Sequence, residues 1–154
     1  MKILIIGANG QLGSEIQDLS TNYVKNDFIF KDLPELDICN FKLLNDYISY
    51  NKIDVVINCA AYTDVDKAEE EVEISKKVNT LGVKHLVASI ENIQGKLIHL
   101  STDYVFNGKN YLPYKEDDKV DPIGVYANSK REGELAVIKS DIDAIIIRTS
   151  WLYS

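Results

Sequence analysis

A lysine and four apolar residues run straight into three evenly spaced glycines at the start of this chain, "KILII" (2–6) and then "GANGQLG" (7–13). A short β-branched run of this kind forms a strand. Gly7, Gly10 and Gly13, spaced G-x-x-G-x-x-G, form a tight turn into a helix that starts near Gln11. Glycine in that turn admits positive φ and lets backbone approach a bound group closely; the last one lets helix and strand touch. An opening of strand, turn and helix commits the chain to an α/β unit. The helix N-terminus that it creates suits a pyrophosphate. The same residues also make a ligand-free βα turn, and the rest of the chain has to decide between the two.

The pattern repeats. "FIF" (28–30), "DVVIN" (54–58), "KLIHL" (96–100) and "DAIIIR" (143–148) read as further strands, and "ELDI" (35–38) as a very short one. Runs this apolar suit strands covered on both faces, as in parallel sheets. Helices are expected near 11–20, 41–51, 72–92 and 124–139, with Ile74, Val78 and Leu81 at i, i+4 and i+7 forming a buried stripe. Asp64, Asp66, Glu69, Glu70 and Glu71 gather before that stripe, where a helix N-terminal region favours negative charge. The alternation predicts a doubly wound parallel α/β sheet of the Rossmann type, and 154 residues suffice for one domain. Residues 101–122 show no period and are long for a connection, which marks them as a functional loop.

Charge narrows the function classes. A net charge of -7 lacks the broad basic footprint of a nucleic-acid binder, although backbone N–H groups can still hold a phosphate-bearing small molecule. Cys39, in an extended stretch, and Cys59, in a predicted core strand, give neither a disulfide framework nor a metal cluster. They point to a reducing cytoplasm. The first apolar run stops at Gly7, too short for a signal peptide or a membrane span. His85 and His99 show no ligand spacing, so no metal site is expected.

The glycine turn asks for a second group to hold an adenosine ribose. Asp32 lies 19 residues past Gly13, near the expected interval, and a carboxylate there would favour NAD. Its neighbour Lys31 would attract the 2′-phosphate of NADP, so NADH and NADPH both stay open. "LDICN" (36–40) and "NCAAYTDVD" (58–66) follow strand ends and should border the cofactor, with small Ala60 and Ala61 letting backbone run close to it. After the fourth strand, Thr102 offers a hydroxyl that can donate to a carbonyl oxygen. Tyr126 and Lys130 in "YANSK" share a helix face one turn apart. A free phenol, with a pKa of about 10, is a poor acid at neutral pH, and a nearby ammonium brings its proton closer to working range. Each residue alone also has a plainer reading: Thr102 as a turn former, Tyr126 as a ring lying over a lysine stem.

"GANGQLG", "NCAAYTDVDKAE", "STDYVFNG", "PYKEDD", "YANSKREGE" and "RTSWLYS" together resemble the extended short-chain dehydrogenase/reductase superfamily. Within it they look most like the dTDP-4-dehydrorhamnose reductases, which act last in dTDP-L-rhamnose synthesis, and the resemblance runs from residue 1 to Ser154. It implies reduction of a nucleotide-linked 4-keto sugar by NADPH or NADH, with Tyr126 as general acid, Lys130 lowering its pKa and bonding the nicotinamide ribose, and Thr102 orienting the carbonyl. It implies cofactor contacts from Gly7, Gly10, Gln11, Leu12, Gly13, Asp32, Asp37, Ile38, Ala60, Ala61 and Tyr62, and contacts to the sugar nucleotide from Asp103 and Trp151. Asn79, in an "NTLG" that matches the superfamily's helix motif, would support the active site. Related dehydratases follow the threonine with Asp-Glu, whereas here Asp103 is followed by Tyr104, which favours reduction over water elimination. Ala127 stands where the family commonly has glycine. The resemblance also implies that residues 1–154 are the NAD(P)-binding domain, with the substrate-closing part largely absent. A homo-oligomer of the full-length protein stays open, and no residue lets magnesium be placed. Two rival readings remain: a non-catalytic NADP-binding module like the regulatory subunit of methionine adenosyltransferase, and a sugar-nucleotide epimerase or dehydratase.

Overall fold

A computed structural model describes residues 1–152 of the chain. Five parallel strands, β1 (Lys2–Ile6), β2 (Asp27–Lys31), β3 (Val55–Asn58), β4 (Lys96–Thr102) and β5 (Asp143–Thr149), form one sheet in the order β2-β1-β3-β4-β5. The register sets Ile5 against Phe30 on one side and Ile57 on the other, and carries Thr102 opposite Thr149 at the far end. Alternating side chains feed two cores, as the period of a strand requires. Leu4, Ile6, Val56 and Leu97 pack with α2 (Phe41–Tyr50) and α5 (Val83–Glu91), while Ile3, Ile5 and Val55 face Ile16 of α1 (Gln11–Ser20). Helices on both faces of a parallel sheet make the doubly wound Rossmann-type architecture that the alternation predicts.

The glycines of the first turn are required by contact. Gly7 has φ +81°, and a Cβ there would lie 2.6 Å from the backbone nitrogen of Ala60; a Cβ on Gly13 would run into the carbonyl oxygen of Gly7. Gly10 has only one near neighbour, that same carbonyl oxygen at 3.3 Å. Gly13→Ala is therefore expected to lower the melting temperature by roughly 5 °C. Gly10→Ala should shift it by about 1 °C or less. Thermal unfolding followed by circular dichroism checks the contrast.

Three readings of the sequence need correcting. "ELDI" forms no strand: the Leu36 N–H turns back to the Asp32 carbonyl (3.0 Å), and Leu36 and Ile38 plug the core from a loop instead. The helix expected over 72–92 is preceded by a short α3 (Val65–Ala68) and consists of α4 (Val72–Lys76), a π-helical stretch (Lys77–Gly82) and α5. The wider π turn re-phases the helix, so Ile74 and Leu81 point outward (50% and 43% exposed), Val78 is half-buried, and the buried face carries Ser75, Asn79, Thr80 and Gly82. Those polar groups are matched by α6 (Gly124–Ile138): the Thr80 hydroxyl donates to the Ser129 carbonyl, and Gly133 leaves room for the Asn79 carbonyl. Finally, Cys59 lies just past the end of β3 and is half-buried. The acidic run behaves as helix chemistry demands, since the Asp64 carboxylate caps α3 by accepting from the Lys67 N–H.

Candidate active site

All five strands deliver their carboxyl ends to one cavity of about 760 Å³. It opens where the chain leaves β1 and β3 towards opposite faces of the sheet, the place where an open α/β sheet forms a crevice. Its first wall is the glycine turn. The N–H groups of Gly7 and Ala8 bond the Lys31 carbonyl, α1 starts with no side-chain cap at Gly10, and Gln11, Leu12 and Gly13 line the wall behind it. A helix end of this kind offers backbone donors and a positive partial charge to an anion.

The second wall follows β2. Asp32 accepts from the backbone N–H of Asn9 with one carboxylate oxygen and from that of Leu33 with the other, each at 2.7 Å. It therefore laces the glycine turn to β2 and still has lone pairs facing the cavity. Lys31 is turned aside, its ammonium hydrogen-bonded to the Glu35 carboxylate. Asp37 accepts from the Cys39 N–H at 2.8 Å, and with Ile38 it completes this side.

The third wall is Ala60–Tyr62, held by Asn79. The Asn79 amide accepts from the Tyr62 N–H (2.9 Å) and donates to both the Tyr62 carbonyl (3.0 Å) and the Ser129 hydroxyl (3.0 Å). Ser129, within "YANSK", in turn donates to the Tyr126 carbonyl at 2.7 Å and meets the Ser75 hydroxyl. One buried amide thus ties the loop after β3 to the helix that carries Tyr126.

On the far side stand Thr102, Asp103, Tyr104, Tyr126 and Lys130, with Trp151 at the rim and 78% exposed. The Thr102 hydroxyl donates to Asp103 and accepts from the Tyr104 N–H. Tyr126 is half-buried, with the Tyr104 ring edge-on to it at 5.8 Å. Lys130 is 3% exposed and donates to the Leu100 carbonyl at 2.7 Å. Burial pushes its ammonium down to about 8, against the opposing pull of the Glu134 carboxylate. The phenol of Tyr126 moves the other way: burial raises it, and the hydrogen bond with Thr102 only partly offsets that. The expectation that Lys130 lowers this pKa is not met here. Desolvation by burial dominates at the phenol. Of the loop over 101–122, only Ser101 to Tyr104 reach the cavity wall.

Sequence reasoning passed over the group beneath Lys130. Glu134, fully buried one turn further along α6, accepts from Arg148 Nε (2.8 Å) and Nη2 (2.9 Å) and from Arg131 Nη1 (2.7 Å). Burial works against this carboxylate, but the Arg148 and Arg131 bonds prevail and hold it below its usual range. Arg148 also sits over the Phe106 ring and donates to the Glu116 carbonyl, so the cluster fixes β5, α6 and the loop after β4 together. The i, i+4 spacing of Lys130 and Glu134 was visible in "YANSKREGE"; the burial of both was not. Among the described residues, no group of His, Cys, Asp and Glu side chains could hold a metal, and no helix is long and apolar enough to cross a membrane.

The sequence pattern of one known family, the RmlD substrate binding domain, matches residues 1–154. The chain belongs to that family. It is 40% identical to a dTDP-4-dehydrorhamnose reductase of Aggregatibacter actinomycetemcomitans, over 99% of this chain and 52% of that protein. Solved structures similar to this RmlD-family chain include two reductases. One is a dTDP-4-dehydrorhamnose reductase of Clostridium acetobutylicum, with TM-score 0.96 and 43% identity, covering 99% of this chain and 54% of that one. The other is the Bacillus anthracis dTDP-4-dehydrorhamnose reductase in complex with NADP, with TM-score 0.94 and 36% identity, covering the same shares. The chain spans about half the length of the curated relatives it matches.

Proposed function

We propose that this chain is the dinucleotide-binding domain of a dTDP-4-dehydrorhamnose reductase, serving NADPH- or NADH-dependent reduction of the 4-keto group of dTDP-4-dehydro-6-deoxy-L-mannose in dTDP-L-rhamnose synthesis. The observation that carries the reading is convergence: the glycine turn, the Asp32 carboxylate and the Thr102, Tyr126 and Lys130 side chains all face one cavity. The cavity also fits the cofactor, because close packing against Ala60 forbids a side chain at Gly7, so bare backbone faces whatever binds there. When bound, the nicotinamide supplies the hydride. Asp32 accepts from the adenosine ribose; Asp37, Ile38, Ala60, Ala61 and Tyr62 line the remaining length. Tyr126, whose raised pKa keeps it protonated at neutral pH, gives its proton to the C4 oxygen. Thr102 orients that oxygen, Lys130 holds the cofactor ribose and supplies the positive charge beside the phenol, and Asp103 and Trp151 meet the sugar nucleotide. Free thiols at Cys39 and Cys59 suit a reducing cytoplasm.

Two measurements test this. Trp151 is the only tryptophan and lies on the cavity rim, so NADPH or NADH should quench its fluorescence saturably, and Gly13→Ala should remove the effect. An unresponsive but folded wild-type chain would count against the reading. The second is the pH profile. Lys130 is charged below about 8 and loses its proton above it, so turnover should fall as pH rises through about 8. Lys130→Arg should retain some turnover and lose that inflection, since a guanidinium does not deprotonate in this range. An unchanged alkaline limb in Lys130→Arg would assign the inflection to another group.

A further inference from the structure

We infer that Glu69 is a positioning residue for Tyr126, acting as the N-terminal cap that α6 lacks in its own sequence. Ile123 stands at the N-cap of α6 and offers no side-chain acceptor. The missing acceptor comes from 56 residues earlier: Glu69 Oε1 accepts from the Val125 N–H at 2.7 Å. Val125 immediately precedes Tyr126, so the bond fixes the turn from which the phenol projects. Gly124 confirms how closely the carboxylate is seated. Its φ is +82°, and a Cβ there would stand 2.7 Å from Glu69 Oε1, so a side chain at this position would collide with the cap.

Glu69 can position because it is itself held. It follows α3, whose Ala68 is fully buried, and the next turn closes through the Glu71 N–H to the Lys67 carbonyl. Glu71 accepts from the Tyr62 hydroxyl at 2.7 Å, and the Tyr62 backbone is held by Asn79. The segment from Tyr62 to Glu71 is thus a brace with one end on the cavity wall and the other on the first turn of α6. A carboxylate at a helix N-terminus also meets the positive end of the helix dipole, so the bond is charge-assisted as well as directional.

The catalytic consequence rests on the reductase reading; the brace does not. The test compares Glu69→Ala, Glu69→Asp and Glu69→Gln with the wild-type protein. Asp keeps the charge but is one methylene too short, while Gln keeps the reach and the acceptor. Exchange of the Val125 amide, read by NMR, should become about tenfold faster in the Ala and Asp variants and only about two- to threefold faster in Gln, which keeps the acceptor but loses the charge assistance. The kcat for keto-sugar reduction should fall about tenfold in the same two variants and recover in Gln, with the KM for the dinucleotide within about twofold. Should Glu69→Ala fail to fold, the Asp and Gln pair carries the comparison. Unchanged Val125 exchange in the Asp variant overturns the inference. So does faster exchange with undiminished kcat, or a Gln variant as impaired as Asp. If the wild-type protein turns over no keto-sugar, the reductase reading fails instead; displacement of the Tyr126 ring resonances in Asp, restored in Gln, still decides the positioning role.

Discussion

Replacing Tyr126 by phenylalanine should lower turnover of the 4-keto sugar about a thousandfold and leave dinucleotide affinity within about twofold. Phenylalanine keeps the ring that the Tyr104 edge contacts and keeps the Ser129 bond to the residue 126 carbonyl, because that bond is to backbone. What it removes is the half-buried phenol that faces the cavity beside Thr102. The loss should therefore fall on kcat, as expected when an interaction made only in the transition state disappears. Steady-state kinetics with a direct binding titration separates the two quantities. Turnover within about tenfold of wild type would move the proton donor elsewhere, with Tyr104, 43% exposed on the same wall, the first alternative to examine.

Glu134→Ala is expected to have the largest effect on stability. The variant leaves the Arg148 guanidinium and the half-buried Arg131 without their shared carboxylate. Removing one partner of a buried ion pair costs about 3–5 kcal/mol, because the remaining charge stays desolvated and unpaired. For a chain of this size that lowers the melting temperature by roughly 10 °C. Replacing Glu134 and Arg148 together by methionine should recover part of the loss, since the Arg148 charge is removed with its partner while Arg131 still lacks the carboxylate. The pH dependence has a definite sign. The folded carboxylate titrates below its unfolded value of about 4.3, so its contribution is present above that value and is lost as pH falls through the folded pKa. The Ala variant should lack that part of the acid limb. It should also move the alkaline limb of turnover to lower pH, because the Glu134 charge is what opposes the downward shift of Lys130. A loss of stability under about 1 kcal/mol would mean that water reaches Arg148 once the carboxylate is gone.

Much of the fold was legible because it is written locally. Gly13 is constrained by Gly7 and Ala8 within a single βα turn, and Tyr126 and Lys130 share a face by helix geometry alone. Misreadings came where the backbone left its ideal period. Ile74, Val78 and Leu81 fit a 3.6-residue stripe, yet the π turn over Lys77–Gly82 rotates Ile74 and Leu81 outward and puts Asn79 and Thr80 inside. "ELDI" had the composition of a strand, but the bond from Leu36 to Asp32 turns the chain before any ladder forms. What the sequence could not disclose are pairings made by tertiary structure. Arg148 reaches Glu134 from another element and Glu69 reaches Val125 across 56 residues, and no spacing rule connects them. The same limit explains the direction of the Tyr126 shift. Spacing placed an ammonium nearby, but only the folded chain shows the phenol half-buried, and that desolvation is what raises it.

The most direct test of the proposed chemistry is transfer of deuteride. NADPH carrying deuterium at the transferable C4 position of its nicotinamide would be incubated with the enzyme and dTDP-4-dehydro-6-deoxy-L-mannose, and the product examined by mass spectrometry and NMR. The expected product is a nucleotide-linked 6-deoxy sugar with deuterium at C4, formed in step with cofactor oxidation and suppressed in Tyr126→Phe. Product formed without deuterium, or an epimerised or unsaturated sugar with no net cofactor oxidation, would contradict it.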